Sequence, residues 1–85
     1  PPIEKHVSYT IRLRPDTSVI RAAVEAQLID LHEREAGLGQ TLLLTHIREA
    51  ISGAAGELDH DLEWPLANVT AAPSELLIYW GVSWL

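Results

Sequence analysis

The chain of 85 residues contains no cysteine, no methionine and no long hydrophobic run. Without cysteine it forms neither a disulfide nor a thiolate zinc site, which fits a reducing compartment. A membrane span needs about 20 apolar residues, and the longest apolar stretch, 76–85, is interrupted by Gly81 and Ser83. We therefore expect no membrane partner.

Basic residues are also scarce, because six Lys and Arg face twelve Asp and Glu, for a net charge of −6. Such a field repels a phosphate backbone, so the composition disfavours nucleic acid as the main partner. The length suits one small domain. Since the chain opens with Pro1-Pro2-Ile3, we expect residues 1–5 to be a linker from a longer upstream polypeptide and residues 6–85 to be a single C-terminal domain.

Residues 6–14 alternate between apolar and polar side chains, which predicts a half-buried strand that ends at Pro15. Thr17 is the expected N-cap of a helix that runs to about Arg34. An i,i+4 ion pair between Arg21 and Glu25 is expected on its surface. The apolar stripe of this helix, which we expect in the core, consists of Ile20, Val24, Leu28 and Leu31.

The stretch 50–65 changes its hydrophobic period at Gly56. The three-four spacing before it predicts a second helix, roughly His46 to Ala55, with Thr45 as N-cap and Gly56 as a left-handed C-cap. The period of two after it predicts a strand from Glu57 to Trp64, which Pro65 ends. Its inner face would hold Leu58, His60, Leu62 and Trp64, and its outer face the four carboxylates Glu57, Asp59, Asp61 and Glu63.

A last strand is predicted over 75–84, with Leu76, Ile78, Trp80, Val82 and Trp84 toward the core and Leu77, Tyr79 and Leu85 opposite. Because it is apolar on both faces, it is either central or covered by a partner. The order β-α-α-β-β predicts an α+β two-layer sandwich, in which two helices cover one face of a three-stranded sheet. The strand order stays open, although pairing the face of Arg12 and Arg14 with the carboxylate row would be electrostatically favourable.

Catalytic patterns are missing from the sequence. On a strand, Asp59-His60-Asp61 cannot act as one cluster, because successive side chains point to opposite faces. We expect His60 to be a half-buried, hydrogen-bonded histidine. There is no HExxH or GxSxG motif, and the glycines of 36–39 follow a helix and lack a lysine. We therefore expect no enzyme, no catalytic residue, no metal or cofactor, and no small-molecule substrate.

Two groups of side chains are better suited to protein contacts. The carboxylate row would form a docking patch for a basic neighbour, and a surface calcium ion at Asp59 and Asp61 is the weaker alternative. The aromatic residues cannot all be buried in so small a domain, so the remainder would anchor a neighbour. The interaction candidates are Glu57, Asp59, Asp61, Glu63, Tyr79, Trp80 and Trp84, with Gly56, Pro65, Thr17 and Thr45 as structural residues.

The run 45–57, THIREAISGAAGE, followed by Asp59-His60, Leu62 and Pro65, resembles the C-terminal region of the baseplate J-like family, in its Mu-like phage and prophage branch. The segments 14–17 and 21–25 are similar to that family as well, so the likeness begins near Val7. The resemblance implies a structural component of a contractile-tail baseplate, which docks with other wedge proteins and with copies of itself. It also implies a location in the virion tail, and in the bacterial cytoplasm during assembly. The family has no catalytic residues to transfer.

An RNA-binding module of the KH type is the alternative, because its core has the same element order. Such modules clamp nucleotides with a GxxG loop between the two helices. Here that position holds Gly37-Leu38-Gly39-Gln40 without basic flanks, and the net charge has the wrong sign. A salt-dependent affinity for single-stranded RNA would favour this alternative.

Overall fold

The computed structural model describes residues 1–57 and 59–85 and confirms the element order β-α-α-β-β. The strands are β1 (Ile3–Arg14), β2 (Asp59–Trp64) and β3 (Glu75–Trp84), and the helices are α1 (Ser18–Glu35) and α2 (Leu44–Ser52). The sheet has the order β2-β1-β3, with β1 antiparallel to β2 and parallel to β3. β1 begins at Ile3, so residues 3–5 of the expected linker extend the central strand.

The core lies between the sheet and the two helices, as the alternation of β1 and the stripe of α1 predict. The inward side chains of β1 and the apolar stripe of α1 are all buried, and α2 adds a second stripe. The buried set comprises Val7, Tyr9, Ile11 and Leu13 from β1, Ile20, Val24, Leu28 and Leu31 from α1, and Ile47, Ala50 and Ile51 from α2. The structure thus confirms the two-layer α+β sandwich.

The start of α1 confirms the Thr17 cap, because the Thr17 hydroxyl accepts a hydrogen bond from the Ile20 N–H at 3.2 Å. The ion pair expected between Arg21 and Glu25 is wrong. Arg21 instead donates two hydrogen bonds to Asp16, at 2.7 and 2.9 Å, since Asp16, the residue before the N-cap, presents both carboxylate oxygens to the guanidinium plane.

The N-cap expected at Thr45 is wrong, because the N-cap is Leu43 and α2 begins at Leu44, two residues before the expected start at His46. A residue far along the chain replaces the local cap: the Leu44 N–H donates to Oδ1 of Asn68 at 2.9 Å. Asn68 reaches this position because Leu42 and Val69 form an isolated antiparallel bridge. The connection between β2 and β3 therefore supplies the cap, and Thr45 lies exposed inside the helix.

Gly56 has the expected positive φ, +87°, but it does not cap α2. The helix ends at Ser52, and Gly53 occupies the C-cap position with a right-handed φ of −78°. A further turn then closes when the Glu57 N–H donates to the Ala54 carbonyl. Because that turn bonds Glu57, β2 begins at Asp59 and not at Glu57. Leu58, expected on the inner face of this strand, lies outside the described residues.

Two β-bulges change which aromatic side chains face the core. In β2 the pairing skips Glu63, so Trp64 lies opposite Thr10 on the outer face of the sheet, and its expected inner position is wrong. In β3 the pairing skips Trp80 and Gly81, and Gly81 has a φ of +97°. The core face of β3 is thus Leu77 and Tyr79 before the bulge and Val82 and Trp84 after it, which corrects the inner positions expected for Leu76, Ile78 and Trp80. Pro65 follows the last residue of β2, as predicted.

Candidate docking surface

The outer face of the sheet carries three of the candidates, Asp59, Asp61 and Trp80, and Arg14 pairs with the two aspartates at its charged end. Arg14 pairs with Asp59 at 2.8 Å and also contacts Asp61 through its second terminal nitrogen. Its pKa is raised, chiefly by the hydrogen bond to Asp61. The expected attraction between β1 and the carboxylate strand is confirmed at this residue. Because the groups are exposed, the pair contributes little to stability.

This arrangement changes the carboxylate row. Arg14 already neutralises part of the charge at Asp59 and Asp61, so these two residues offer a basic partner less than an open pair of carboxylates would. Glu63, by contrast, is exposed and forms no ion pair with any residue in 1–57 or 59–85. The calcium alternative is also weakened, since the guanidinium occupies the position between the two aspartates.

Glu57 is not part of the exposed row. Its side chain is only 5% exposed, and Oε1 lies 3.1 Å from Nδ1 of His60. His60 is therefore the half-buried, hydrogen-bonded histidine that the sequence predicts. The turn after Gly56 folds the Glu57 carboxylate inward, so this residue is structural and unavailable to a partner.

Tyr79 and Trp84 are also held within the domain. Both pack against the hydrophobic core. The Tyr79 hydroxyl donates to Glu25 at 3.2 Å, and burial raises its pKa. The Arg21 guanidinium lies 5.4 Å from the centre of the Trp84 ring, which covers part of the indole.

Two indoles remain at the surface on strands that flank β1. Trp80 is 60% exposed and stacks on His6, with ring centres 3.7 Å apart and planes within 3°. Trp64, which the period of two assigns to the core, is 57% exposed. Both belong to the outer face of the sheet. Trp64 lies there because it pairs with Thr10, and Trp80 because it follows Ile78 by two positions on the same strand and so points to the same side. The bulges thus create an aromatic surface that regular alternation would hide.

The core contains one polar contact, between Tyr9 and His32, that the sequence pattern does not predict. His32 lies 2.7 Å from the Tyr9 hydroxyl, and both side chains are buried. Helical spacing alone puts His32 beside Leu31 and Leu28, which could have indicated burial, but its partner lies on another element. In the part of the chain that the structure describes, no three Asp, Glu or His side chains are grouped to hold a metal ion. Among the same residues, no helix is long and apolar enough to cross a bilayer.

Comparison with known proteins places the chain in a family. Residues 7–85 match the family model described as the baseplate J-like protein C-terminal domain. The chain belongs to this family. It is also 40% identical over 83 residues to the protein JayE of Escherichia coli K12, an overlap that covers 98% of the chain and 32% of JayE. A Mu-like prophage protein of Haemophilus influenzae, FluMu gp47, is 35% identical over 79 residues, which cover 93% of the chain and 22% of gp47.

The chain therefore spans about a third or less of the relatives it matches. Membership in the baseplate J-like family confirms the family predicted from the run 45–57 and supports a component of a phage tail baseplate.

Proposed function

We propose that this baseplate J-like domain is the C-terminal docking module of a wedge protein in a contractile-tail baseplate, and that it has no catalytic activity. The observation that carries the proposal is the pair of exposed indoles, Trp64 and Trp80, on one face of the sheet. Interfaces are enriched in Trp, and a well-packed Trp is typical of the few residues that dominate binding energy. A neighbouring wedge protein, or a second copy of the same protein, would cover this face.

The charges around the indoles favour a basic partner. The net charge of the chain is −6, and Glu63, next to Trp64, has no ion pair among the described residues. Complementary charge at an interface rim speeds association and selects the partner more than it adds affinity. We accordingly assign anchoring to Trp64 and Trp80, and orientation to Glu63 with the Arg14-paired carboxylates Asp59 and Asp61. The protein would be assembled into the baseplate in the bacterial cytoplasm and would finally be located in the virion tail.

The test is incorporation into tails. The full-length parent protein would carry Trp80→Ala, Trp64→Ala or both, and purified tails would be scored by electron microscopy and by quantifying the protein in each particle. Loss of an anchoring Trp costs about 2 kcal/mol or more of binding free energy, so we expect a marked loss of incorporation that is greatest in the double variant.

Leu38→Ala is the matched control, because Leu38 is 53% exposed but lies in the connector between α1 and α2, on neither of the strands that carry the indoles. It should leave incorporation unchanged. Normal tails from the folded double variant would overturn the proposal. Circular dichroism of each isolated variant separates lost docking from lost folding.

A further inference from the structure

β1 is longer than β2, the strand that lies on one of its two sides. β2 pairs only with Thr10–Arg14, whereas β1 begins at Ile3. Among the described residues, no strand therefore lies beside the first half of β1 on that side. On the other side β3 pairs along nearly the whole length of β1.

The direction of the backbone groups follows from two hydrogen bonds. The Ile3 N–H donates to the Ser74 carbonyl at 2.9 Å, and the Ile11 carbonyl accepts from the Leu85 N–H at 3.0 Å. The Ile3 N–H and the Ile11 carbonyl therefore both point to the β3 side of β1. Because backbone groups of a strand alternate in direction, those of the even-numbered His6 and Ser8 point to the side that β2 leaves open. No backbone hydrogen bond from the described residues reaches them there.

A groove lies along this open edge. Its cavity volume is about 330 Å³, and it is bounded by residues 5–8 of β1 on one side and by 64–70 on the other. We call it the edge groove. Trp64, Pro65, Leu66 and Val69 make its second wall mainly apolar. Exposed main-chain donors beside an apolar wall are the elements with which sheet edges bind extended peptides.

The edge groove differs in charge from the rest of the chain. Its only ionisable lining residues are Lys5 and His6. The Lys5 ammonium donates to the Thr70 carbonyl at 2.8 Å and forms no ion pair with any carboxylate of 1–57 or 59–85. His6 lies 3.3 Å from Glu4 and stacks on Trp80. In a chain with a net charge of −6, this local cation favours an acidic occupant.

The outer edge of β3 is less suitable for strand addition. The Glu75 carbonyl already accepts from the Gly39 N–H at 2.8 Å, and the Leu77 carbonyl accepts from Nδ1 of His32 at 3.4 Å. These bonds satisfy the start of that edge within the domain.

We infer that the edge groove binds an extended acidic segment of another polypeptide, which adds to β1 as a strand beside Glu4–Ser8. Its main chain pairs with His6 and Ser8, its apolar side chains contact Trp64 and Leu66, and a carboxylate meets Lys5. This inference rests on the proposed docking role and specifies one contact within it: an acidic segment of the partner meets Lys5 at the edge groove, while basic side chains elsewhere on the same partner meet Glu63.

Amide exchange and NMR on the 15N-labelled chain test the inference. In the free chain, the amides of His6 and Ser8 should exchange much faster than those of Val7 and Tyr9, although all four lie in the central strand. A capped octapeptide of alternating Val and Glu should shift the His6 and Ser8 signals and slow their exchange. The same peptide with Lys in place of Glu serves as the control and should bind more weakly.

Lys5→Glu is the matched variant, since Lys5 is exposed and its side chain bonds only the Thr70 carbonyl. It should weaken binding of the Glu peptide by roughly two- to fivefold, the range of an exposed ion pair, and reverse the preference toward the Lys peptide. Absence of protection at His6 and Ser8 with the Glu peptide at millimolar concentration would overturn the inference. Protection that appears without peptide as the chain is concentrated would also overturn it, because the occupant would then be a second copy. The tail assay with Trp80→Ala decides the docking role separately, so the two failures are distinguishable.

Discussion

The hydroxyl of Tyr9 lies 2.7 Å from Nε2 of His32, 23 positions along the chain, and joins the central strand to α1 inside the core. The Leu77 carbonyl can only accept, so Nδ1 of His32 carries the proton and Nε2 accepts from Tyr9. Burial lowers the pKa of His32 and raises that of Tyr9, which keeps both groups neutral near pH 7.

Removing the Tyr9 hydroxyl should destabilise the domain. In Tyr9→Phe, Nε2 of His32 stays buried without a donor, and we expect a loss of about 1–3 kcal/mol in the free energy of unfolding. Urea denaturation measures it. Tyr79→Phe is the control, because its hydroxyl contacts the partly exposed Glu25, and it should cost less. Equal losses in the two variants would contradict the special role of the Tyr9–His32 contact.

Stability should fall as the pH falls below the unfolded pKa of His32, 6.5. The folded pKa is depressed, so below pH 6.5 the unfolded chain binds a proton that the folded chain does not, and this binding lowers the free energy of the unfolded state relative to the folded state. The contribution of His32 is complete above that pH. Urea denaturation midpoints are measured between about pH 7.5 and 5 for the native chain and for His32→Gln. The difference between the two series gives the contribution of His32 to the pH dependence of stability. A variant with the same pH slope as the native chain would rule out His32 as its source.

Glu57 and Glu63 should behave differently, although both belong to the carboxylate pattern of the sequence. Glu57→Ser leaves His60 without its partner in a nearly buried position, and we expect a loss of about 1–3 kcal/mol. Glu63→Ser is exposed and should change the free energy of unfolding by less than about 0.5 kcal/mol, while it slows association with a basic neighbour. Thermal denaturation compares the two, and a larger loss for Glu63→Ser would contradict the assignment.

Gly56→Ala tests the left-handed turn before β2. The substitution forces a Cβ into a φ of +87° and brings it 3.3 Å from Cγ1 of Ile20, so we expect a loss of roughly 1–2 kcal/mol. Gly37→Ala is the control, because its nearest neighbour is 3.5 Å away and its φ is ordinary. Chemical denaturation of both variants gives the difference between their free energies of unfolding. Equal values would show that the backbone at position 56 accommodates the Cβ without strain.

Asn68→Ala and Thr45→Ala distinguish the observed cap of α2 from the expected one. Asn68 accepts from the Leu44 N–H, and losing that bond should cost about 1 kcal/mol. Thr45 is exposed within the helix, where Ala has the higher helix propensity, so Thr45→Ala should be neutral or slightly stabilising. Denaturant midpoints measure both changes. A larger loss of stability in Thr45→Ala than in Asn68→Ala would instead support Thr45 as the cap.

Local pattern predicts the elements here because short-range chemistry determines them. The alternation of β1, the stripe of α1 and the Thr17 cap depend on neighbours within a few positions. The family resemblance of the run 45–57 is confirmed for the same reason, since it consists mostly of structural residues in one stretch.

The candidate surface is less predictable, because one extra residue in a ladder inverts every side chain beyond it. The bulge at Glu63 moves Trp64 outward, and the bulge at Gly81 moves Val82 and Trp84 inward. Contacts between distant residues, such as Asn68 with Leu44 or His32 with Tyr9, have no signature in local periodicity. Such long-range contacts explain why Thr45, Tyr79 and Trp84 have other surroundings than the sequence indicates, whereas Glu57 is turned inward by the local turn after Gly56 and its contact with His60.

The parallel pairing of β1 with β3 has a mechanical consequence. Because the two strands run in the same direction, Pro1 and Leu85 lie toward opposite ends of their ladder, in a domain about 40 Å long. A pull applied between the two termini would drag β1 and β3 past each other along their length. The load would then be shared by many hydrogen bonds at once, instead of opening them one after another as in a hairpin pulled from its free ends. The domain is thus suited to transmit tension from one end to the other without unravelling.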